Sequence, residues 1–329
     1  MKKLYVVCPA NIKTGGPELL HQLVSVLNKL GVNAEIAYVN IVYGQHPTHT
    51  EYKQYVDEFV DFNDILDDRN NIIIFPESYT KQLYKFKNAL KVIWWLSVDN
   101  AGSFKYRNKF RERFKRWLNA LTGVILCKSY YDSIFLADLH LYQSEYARRY
   151  LQDLGVNSAL ALSDYLNDSF FEQSFSYDKE DIVLYNPKKG YEFTKKIIEA
   201  AKGEIYFAPI QNYTTEQVSD LLLKSKCYID FGNHPGKDRF PREAAISGCC
   251  VITGKKGSAN NDIDVSIPNN YKFVDDEKYI DEILDKIRYC IKSYNIAIDD
   301  FENYRHTIMN EKAVFESQAQ ILVDKLYKL

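Results

Sequence analysis

The first half of the chain alternates short apolar runs with segments of helical periodicity. Runs of four to seven mainly apolar residues predict buried strands at 4–8, 33–39, 72–75, 92–96, 123–127 and 137–142. Between residues 17 and 30 the leucines and valines share one helical face, with Pro17 suited to the start and Gly31 to the end. This alternation predicts βαβ units and a largely parallel sheet.

The second half repeats the arrangement. Predicted strands lie at 181–185, 204–208, 227–232 and 249–253, and predicted helices at 191–201, 214–224, 242–247, 275–291 and 311–329. A polar stretch at 164–169 separates the two blocks, and a chain of 329 residues is comfortable as two domains of about 150 residues each. We therefore expect an α/β protein with domains at 1–165 and 166–310 and a C-terminal helix at 311–329.

Charge and cysteine content exclude several classes of protein. A formal net charge of −2 gives no electrostatic basis for nucleic-acid binding by the whole protein. The six cysteines lack zinc-ligand spacing, and several lie in apolar runs, which fits a reducing compartment. The first apolar run is too short for a signal peptide, and no run of about 18 apolar residues would span a membrane. We expect a soluble, cytoplasmic protein.

The segment from Asn233 to Gly248 carries the densest chemistry. It follows an apolar run that predicts a strand, and loops at the carboxyl ends of strands are where open α/β sheets bind ligands. A helix start offers N–H groups and a partial positive charge, which suit phosphate. Cations could hold a diphosphate and a fixed carboxylate could accept hydrogen bonds from ribose; a solvated charged loop is the alternative. The candidate residues are His234, Lys237, Arg239, Arg242 and Glu243.

Residues 240–252, Phe-Pro-Arg-Glu-Ala-Ala-Ile-Ser-Gly-Cys-Cys-Val-Ile, resemble the donor-site segment of GT-B glycosyltransferases, particularly glycosyltransferase family 4. The resemblance implies that Glu243 holds the nucleotide ribose. The family's first Glu, eight positions earlier, would fall at Pro235, so its role does not transfer. The resemblance also implies two Rossmann-like domains whose parallel sheets face each other across a cleft, with a C-terminal helix that returns to the first domain.

A glycine pair stands between the first predicted strand and the first predicted helix. Gly15 and Gly16 would let the backbone approach a ligand, and the helix start favours an anion. The spacing is not the dinucleotide fingerprint, so an NAD site is poorly supported. With Glu18, the segment resembles the Gly-Gly-x-Glu loop of family 4, which faces donor phosphates and acceptor. A plain tight turn would use the same glycines.

Lys188 and Lys189 follow the first strand of the second half. Basic residues here could neutralise a diphosphate leaving group in place of a metal ion, and the family carries basic residues in this area. The alternative for each of these lysines is an ordinary surface position at a turn. The pair Asp262 and Asp264 lies in a polar loop and is not a convincing metal site. We expect no metal and no cofactor, with the nucleotide sugar as substrate.

Asp99 follows the strand of the first half that contains two tryptophans. It could bind sugar hydroxyls or act as general base on an acceptor hydroxyl, and a helix cap is the equally weighted alternative. Glu77, after the neighbouring strand, is a weaker base candidate. The catalytic candidates are thus Asp99, Glu18 and Lys189.

Residues 104–117 interleave seven basic residues and one acid with aromatic residues. Basic amphipathic helices with aromatics are typical of anionic membrane surfaces. An ordinary helix that packs its aromatics on the sheet has the same pattern, so both interpretations stay open. The fold and net charge argue against RNA.

These features together predict an enzyme that moves a sugar from a nucleoside diphosphate to a carbohydrate or polyprenyl-linked acceptor. A lipid-linked acceptor would suit capsule or O-antigen synthesis, with the protein peripheral on the inner face of a membrane. Two rivals remain: a sugar-nucleotide epimerase on the same fold, and a non-catalytic nucleotide-sugar-binding or scaffold subunit.

Overall fold

The computed structural model describes residues 2–101, 109–122, 130–172 and 174–329. The chain divides into two compact units. The first comprises Met1–Asp164 and Ala313–Leu329, and the second comprises Tyr165–Lys312.

The first unit is a parallel sheet flanked by helices. Its strands are β1 (Lys3–Pro9), β2 (Ala34–Val39), β3 (Phe59–Asp61), β4 (Asn71–Pro76), β5 (Leu90–Trp95), β6 (Leu139–Tyr142) and β7 (Ala159–Ala161). Its helices are α1 (Gly15–Lys29), α2 (Lys109–Thr122), α3 (Tyr130–Ile134) and α4 (Glu145–Asp153). The seven strands lie in the order β3-β2-β1-β4-β5-β6-β7, and every described pair is parallel.

The central strands of this sheet are the long apolar runs of the sequence, because a parallel strand covered on both faces needs apolar residues at nearly every position. The edge strands β3 and β7 were not predicted, since three residues are too few to set a periodicity. Helix α1 begins at Gly15 with Thr14 as its N-cap, so the glycine pair forms the first helical turn and not a tight turn before it. The predicted strand at 123–127 lies outside the described residues.

The second unit contains a smaller sheet of the same kind. Its strands are β8 (Glu180–Tyr185), β9 (Tyr206–Pro209), β10 (Ser225–Asp230), β11 (Cys250–Gly254) and β12 (Lys272–Phe273), in the order β12-β11-β10-β8-β9. Its helices are α5 (Tyr191–Ala200), α6 (Thr215–Lys224), α7 (Arg239–Ile246), α8 (Ile280–Lys292) and α9 (Tyr294–Ala297). All described strand pairs are parallel. The prediction of an α/β fold with two parallel sheets is confirmed.

Two helix starts differ from the sequence-based expectation. Helix α7 begins at Arg239 and not at Arg242, because Pro241 is accommodated within its first turn, where the missing N–H costs nothing. The last helix, α10 (Glu302–Leu326), begins nine residues before the predicted residue 311. Its residues up to Lys312 belong to the second unit and those from Ala313 onward to the first.

The last part of α10 is an integral element of the first unit. The Phe315 ring lies 6.2 Å from the Trp94 ring, centroid to centroid. Gln318 Oε1 accepts a 2.7 Å hydrogen bond from the Ser163 N–H, and Lys2 Nζ donates to the Leu326 carbonyl at 2.9 Å. None of the described helices is long and apolar enough to cross a bilayer.

Candidate functional site

Glycines bring three loops into backbone contact at the carboxyl edge of the second sheet. A Cβ added at Gly190, after β8, would lie 2.1 Å from the Phe231 carbonyl oxygen at the end of β10. A Cβ at Gly257, after β11, would lie 2.0 Å from the His234 carbonyl oxygen. Both glycines also have positive φ, at +60° and +61°. No other residue fits these positions without moving the backbone.

Two of the three helices that follow β8, β9 and β10 start without a capping side chain. Helix α6 has a complete capping box, in which Thr214 and Gln217 bond each other's backbone N–H groups. Among the described residues, Gly190 at the start of α5 and Asp238 at the start of α7 make no side-chain capping bond. Helices α5 and α7 follow the adjacent strands β8 and β10, so two uncapped helix starts, each with a partial positive charge, belong to this edge. The Lys189 side chain, one residue before Gly190, reaches the carboxylate of Asp238.

The Asp238 carboxylate faces a lysine instead of its own helix. Lys189 Nζ lies 3.0 Å from Asp230 Oδ2, 2.5 Å from Asp238 Oδ2 and 3.0 Å from His234 Nδ1. Burial lowers the pKa of Lys189, but the charges of Asp230 and Asp238 outweigh it and leave that pKa raised. Of the two candidate lysines, Lys189 therefore points inward and is held as a charged ammonium. We call these four side chains the lysine cage.

Glu243 lies on α7 close to this cage. Its side chain is 8% exposed. Tyr228 donates a 3.1 Å hydrogen bond to Asp230 Oδ2. Burial, followed by the charges of Asp230, Asp238 and Glu243, raises the pKa of Tyr228 well above its usual range. The candidate ribose ligand and the lysine cage thus share one electrostatic environment.

Lys237 and Arg242 are engaged inside the second unit. Arg242 is fully buried, and its Nη1 donates a 2.6 Å hydrogen bond to Glu311 Oε2 on α10. The same guanidinium donates to the carbonyls of Lys237 and Asp238, each at 3.2 Å. Lys237 Nζ lies 2.7 Å from Glu311 Oε1. These two candidate donor ligands fix the loop that carries His234 and Asp238, and a phosphate role for them stays a prediction.

The remaining candidates of this edge are more accessible. Lys188 is exposed, and its backbone N–H donates to Asn186 Oδ1 at 3.0 Å. Arg239 is partly buried as the first residue of α7. The loop after β12 adds Asp275, whose Oδ2 accepts from the Gly232 N–H at 3.0 Å and pairs with Lys256 Nζ at 2.8 Å.

The first unit has carboxylates after three adjacent strands: Glu18 follows β1, Glu77 follows β4 and Asp99 follows β5. Glu18 on α1 accepts a 3.2 Å hydrogen bond from the Tyr55 hydroxyl, and Asp99 accepts a 3.3 Å hydrogen bond from the Tyr146 hydroxyl. Both carboxylates are partly exposed. The structure thus puts Glu18 and Asp99 at one edge of the first sheet, as the sequence order predicts.

Glu77 is buried and stabilises the end of β5 at this edge. Its side chain is 4% exposed, and Oε2 accepts a 2.9 Å hydrogen bond from the Leu96 N–H at the end of β5. Burial raises the pKa of Glu77 to about 7, although the backbone N–H groups of Leu96 and Ser97 oppose the rise. Glu77 therefore holds the turn that carries Asp99.

The segment after β2 packs over the start of α1. Tyr52 donates a 3.0 Å hydrogen bond to the Thr14 carbonyl, and Lys13 pairs with Glu51 at 2.5 Å. A Cβ at Gly16 would make only an ordinary 3.8 Å contact with Leu96. The prediction that the backbone at Gly15 and Gly16 approaches a ligand stays untested.

The described part of the basic segment is helix α2. Two of its aromatic side chains and one leucine are on the surface: Phe114, Trp117 and Leu121 are 53%, 56% and 67% exposed, and the rings of Phe114 and Trp117 lie 5.8 Å apart. Asn119, on the opposite side at ~3.6 residues per turn, donates a 3.0 Å hydrogen bond to Asp132 of α3. Phe114 and Trp117 do not pack on the sheet. Residues 102–108 lie outside the described ranges.

Sequence reasoning missed several residues of the second edge. Asp230 could have been found, because an acidic residue at the end of an apolar strand faces the ligand edge of a parallel sheet. Glu311 gave no local signal, since it lies 69 residues from its partner Arg242. Tyr228 and Asp275 were equally hidden within apolar or charged stretches.

No protein-family model and no curated protein matches the sequence. Solved structures do. Sucrose-phosphate synthase from Thermosynechococcus elongatus aligns over 100% of both chains, with a TM-score of 0.67 and 11% identity. The alignment with a glycosyltransferase from Rickettsia africae covers 99% of this chain and 97% of that chain, with a TM-score of 0.64 and 15% identity. The alignment with Anabaena HepE in complex with UDP covers 99% of this chain and 100% of that chain, with a TM-score of 0.63 and 11% identity. The chain has the GT-B fold. Its neighbours are GT-B glycosyltransferases, and at these identities the likeness concerns the fold alone.

Proposed function

We propose that this protein is a glycosyltransferase that binds a nucleoside diphosphate sugar at the carboxyl edge of the second sheet. The proposal rests on the starts of α5 and α7, which follow the adjacent strands β8 and β10 at this edge and lack capping side chains, whereas α6 is capped by its own residues. Helix N-termini that lack an internal partner bind phosphate through backbone N–H groups and the helix dipole. A diphosphate would supply acceptors to both helices at once.

Glu243 completes the site as the ligand of the ribose. Its place in the segment that resembles family 4 motivates this role, and its position on α7 keeps it near the start of that helix. HepE has been solved with UDP and with UDP-glucose, which makes UDP the first nucleotide to test. The exposed Lys188 and the partly buried Arg239 would carry positive charge toward the phosphates.

The leaving diphosphate would be stabilised by fixed protein charge. Lys188, Arg239 and the two helix starts would neutralise the charge that develops as the glycosidic bond breaks. Lys237, His234 and Arg242 would hold the loop in the shape that this requires. No divalent metal would be needed.

The first unit would bind the acceptor. Glu18 and Asp99 are partly exposed carboxylates that could accept hydrogen bonds from sugar hydroxyls, and Asp99 is the candidate base if the reaction inverts the anomeric centre. The acceptor class we propose is a carbohydrate, including polyprenyl-linked oligosaccharide of surface polysaccharides such as capsule or O-antigen.

Helix α2 would hold the enzyme on an anionic membrane. Phe114, Trp117 and Leu121 form an exposed apolar stripe, and the helix sequence carries five basic residues against one acid. Each cation near an anionic surface contributes about 1 kcal/mol. Because Asn119 attaches the opposite side of the helix to α3, the stripe is free to face lipid.

Sedimentation with lipid vesicles tests the membrane proposal. Wild-type protein should pellet with phosphatidylglycerol-containing vesicles and remain in solution with phosphatidylcholine alone. The double variant Phe114→Ser, Trp117→Ser should lose binding. Leu66→Ser, at an apolar side chain that is 74% exposed elsewhere in the first unit, is the control and should bind as wild type. Equal sedimentation of both variants would contradict the proposal.

Calorimetric titration of UDP and UDP-glucose tests the donor proposal. Glu243→Gln should weaken UDP binding about 10-fold to 100-fold, because hydrogen bonds to a charged group contribute about 1.5–3 kcal/mol. Glu199→Gln, at an exposed carboxylate on α5, is the matched control and should change nothing. Wild-type protein that binds no nucleotide would favour the scaffold rival, and turnover of UDP-glucose to an epimer without acceptor would favour the epimerase.

A further inference from the structure

The lysine cage has the ligand set of a divalent-metal site. One carboxylate oxygen of Asp230, one of Asp238 and a ring nitrogen of His234 all lie within 4.8 Å of one another. Carboxylate oxygens and imidazole nitrogens both bind zinc, and a zinc site with three protein ligands leaves its fourth position for water. Asp230 and His234 are buried, and Asp238 is partly buried.

The ammonium of Lys189 stands where the metal would stand. Its Nζ lies 2.5–3.0 Å from all three candidate ligand residues. Zinc would sit about 2.0–2.2 Å from the same oxygen and nitrogen atoms. A zinc ion at this centre would therefore be in contact with the ammonium, and their positive charges would repel each other strongly in a buried site.

His234 is oriented as a metal-binding histidine would be. Its Nδ1 points into the cage, 3.0 Å from Lys189 Nζ and 2.9 Å from Asp238 Oδ2. Its other nitrogen, Nε2, lies 3.4 Å from the Asp230 carbonyl oxygen. A backbone carbonyl against the second ring nitrogen is the arrangement that commonly fixes a metal-bound imidazole.

We propose that Lys189 is the resident cation of a site with metal-binding composition. The wild-type cage excludes divalent metals because the ammonium occupies its centre, and removal of that ammonium opens a zinc site formed by Asp230, His234 and Asp238. In the proposed glycosyltransferase, the cation of the donor edge is then the ammonium of Lys189 and not a metal ion. The metal-binding part of the proposal does not depend on that function.

The charges of the lysine cage support the replacement of the Lys189 ammonium by a divalent metal ion. The carboxylates of Asp230 and Asp238 and the ammonium of Lys189 sum to one negative charge, which attracts a divalent ion only weakly. Without the ammonium, the two carboxylates leave two negative charges in a buried place, and one divalent ion neutralises them. Removal of Lys189 should therefore destabilise the second unit, and bound metal should restore the stability that is lost.

The experiment is a Zn²⁺ titration by calorimetry and by thermal unfolding, followed by Co²⁺ absorption spectroscopy. Five proteins are compared: wild type, Lys189→Ala, Lys188→Ala, Asp238→Asn and the double variant Lys189→Ala, Asp238→Asn. Lys188→Ala is the control because Lys188 is exposed and adjacent in sequence. We expect one additional equivalent of Zn²⁺ only in Lys189→Ala, with affinity at least 100-fold above wild type. Zn²⁺ should raise the unfolding midpoint of that variant toward the wild-type value.

Two results would overturn the proposal. One is stoichiometric Zn²⁺ binding by wild-type protein that Asp238→Asn abolishes, which would show that metal displaces the ammonium. The other is a folded Lys189→Ala variant without the extra Zn²⁺ site. If Lys189→Ala does not fold without metal, its recovery by growth with Zn²⁺ supports the proposal, and the wild-type titration still decides it. These outcomes are independent of UDP binding, so failure of the donor proposal would be seen separately.

Discussion

The carboxyl edges of the two sheets are built from different partners. In the second unit, carboxylates meet cations: Asp230 and Asp238 hold Lys189, and Glu311 holds Lys237 and Arg242. In the first unit, the partners identified for the carboxylates are neutral donors: the Tyr55 hydroxyl for Glu18, the Tyr146 hydroxyl for Asp99 and the Leu96 N–H for Glu77.

The difference separates two tasks. Ion pairs and glycine contacts fix the loops of the second edge, and its two uncapped helix starts suit a diphosphate. The tyrosine hydroxyls that donate to Glu18 and Asp99 are neutral partners that the hydroxyl groups of a sugar could replace. Variants that remove one kind of partner at a time test whether this division holds.

The largest effect is expected from Gly190→Ala. Its Cβ would overlap the Phe231 carbonyl oxygen, so the loops after β8 and β10 must separate, at a cost of more than about 4 kcal/mol. The control is Gly203→Ala, also at positive φ but with no described atom within 4 Å of its Cβ, which should cost about 1–2 kcal/mol. Thermal unfolding measures both. Equal losses would mean that close approach at Gly190 does not hold the second edge together.

The next effect is expected from Arg242→Met. Loss of a fully buried guanidinium leaves Glu311 with Lys237 as its remaining cation, and the expected cost is about 3–5 kcal/mol. Lys312→Met removes an exposed pair with Asp168 and should cost less than about 1 kcal/mol. Adding Glu311→Gln to Arg242→Met should recover part of the stability. A loss no larger than that of Lys312→Met would show that this ion pair does not anchor the loop.

The smallest of the three expected effects is a pH dependence of stability, caused by Glu77 at the edge of the first sheet. The folded-state pKa of Glu77 is raised to about 7, so the stability that its protonation contributes is fully present below the ordinary pKa of 4.5 and is lost as the pH rises through about 7. At about 1.4 kcal/mol per pKa unit, wild type should lose up to about 3 kcal/mol relative to Glu77→Gln between pH 5 and pH 8. Unfolding midpoints at both pH values measure this. Parallel profiles for the two proteins would rule it out.

The sequence predicts the strands and helices well because their periodicity is local. It also places Glu18, Asp99, Lys189 and Glu243 after the correct strands, since chain order alone brings strand ends to one edge of a parallel sheet. It could not show that Lys189 points inward, because its partner Asp230 lies 41 residues away. The buried pairing of Arg242 with Glu311 was hidden for the same reason.

Other differences have local causes. Strands β3, β7 and β12 have two or three residues, too few for a pattern. The predicted start of α7 at residue 242 is three residues late, because the helix accommodates Pro241 in its first turn.

Hydrogen–deuterium exchange with and without UDP tests the proposed diphosphate site most directly. We expect UDP to slow exchange in peptides covering 188–193 and 237–243, at the starts of α5 and α7. We expect no change at 213–218, where α6 is already capped by Thr214 and Gln217. Protection at the start of α6, or UDP binding without protection at α5 and α7, would contradict the placement of the diphosphate.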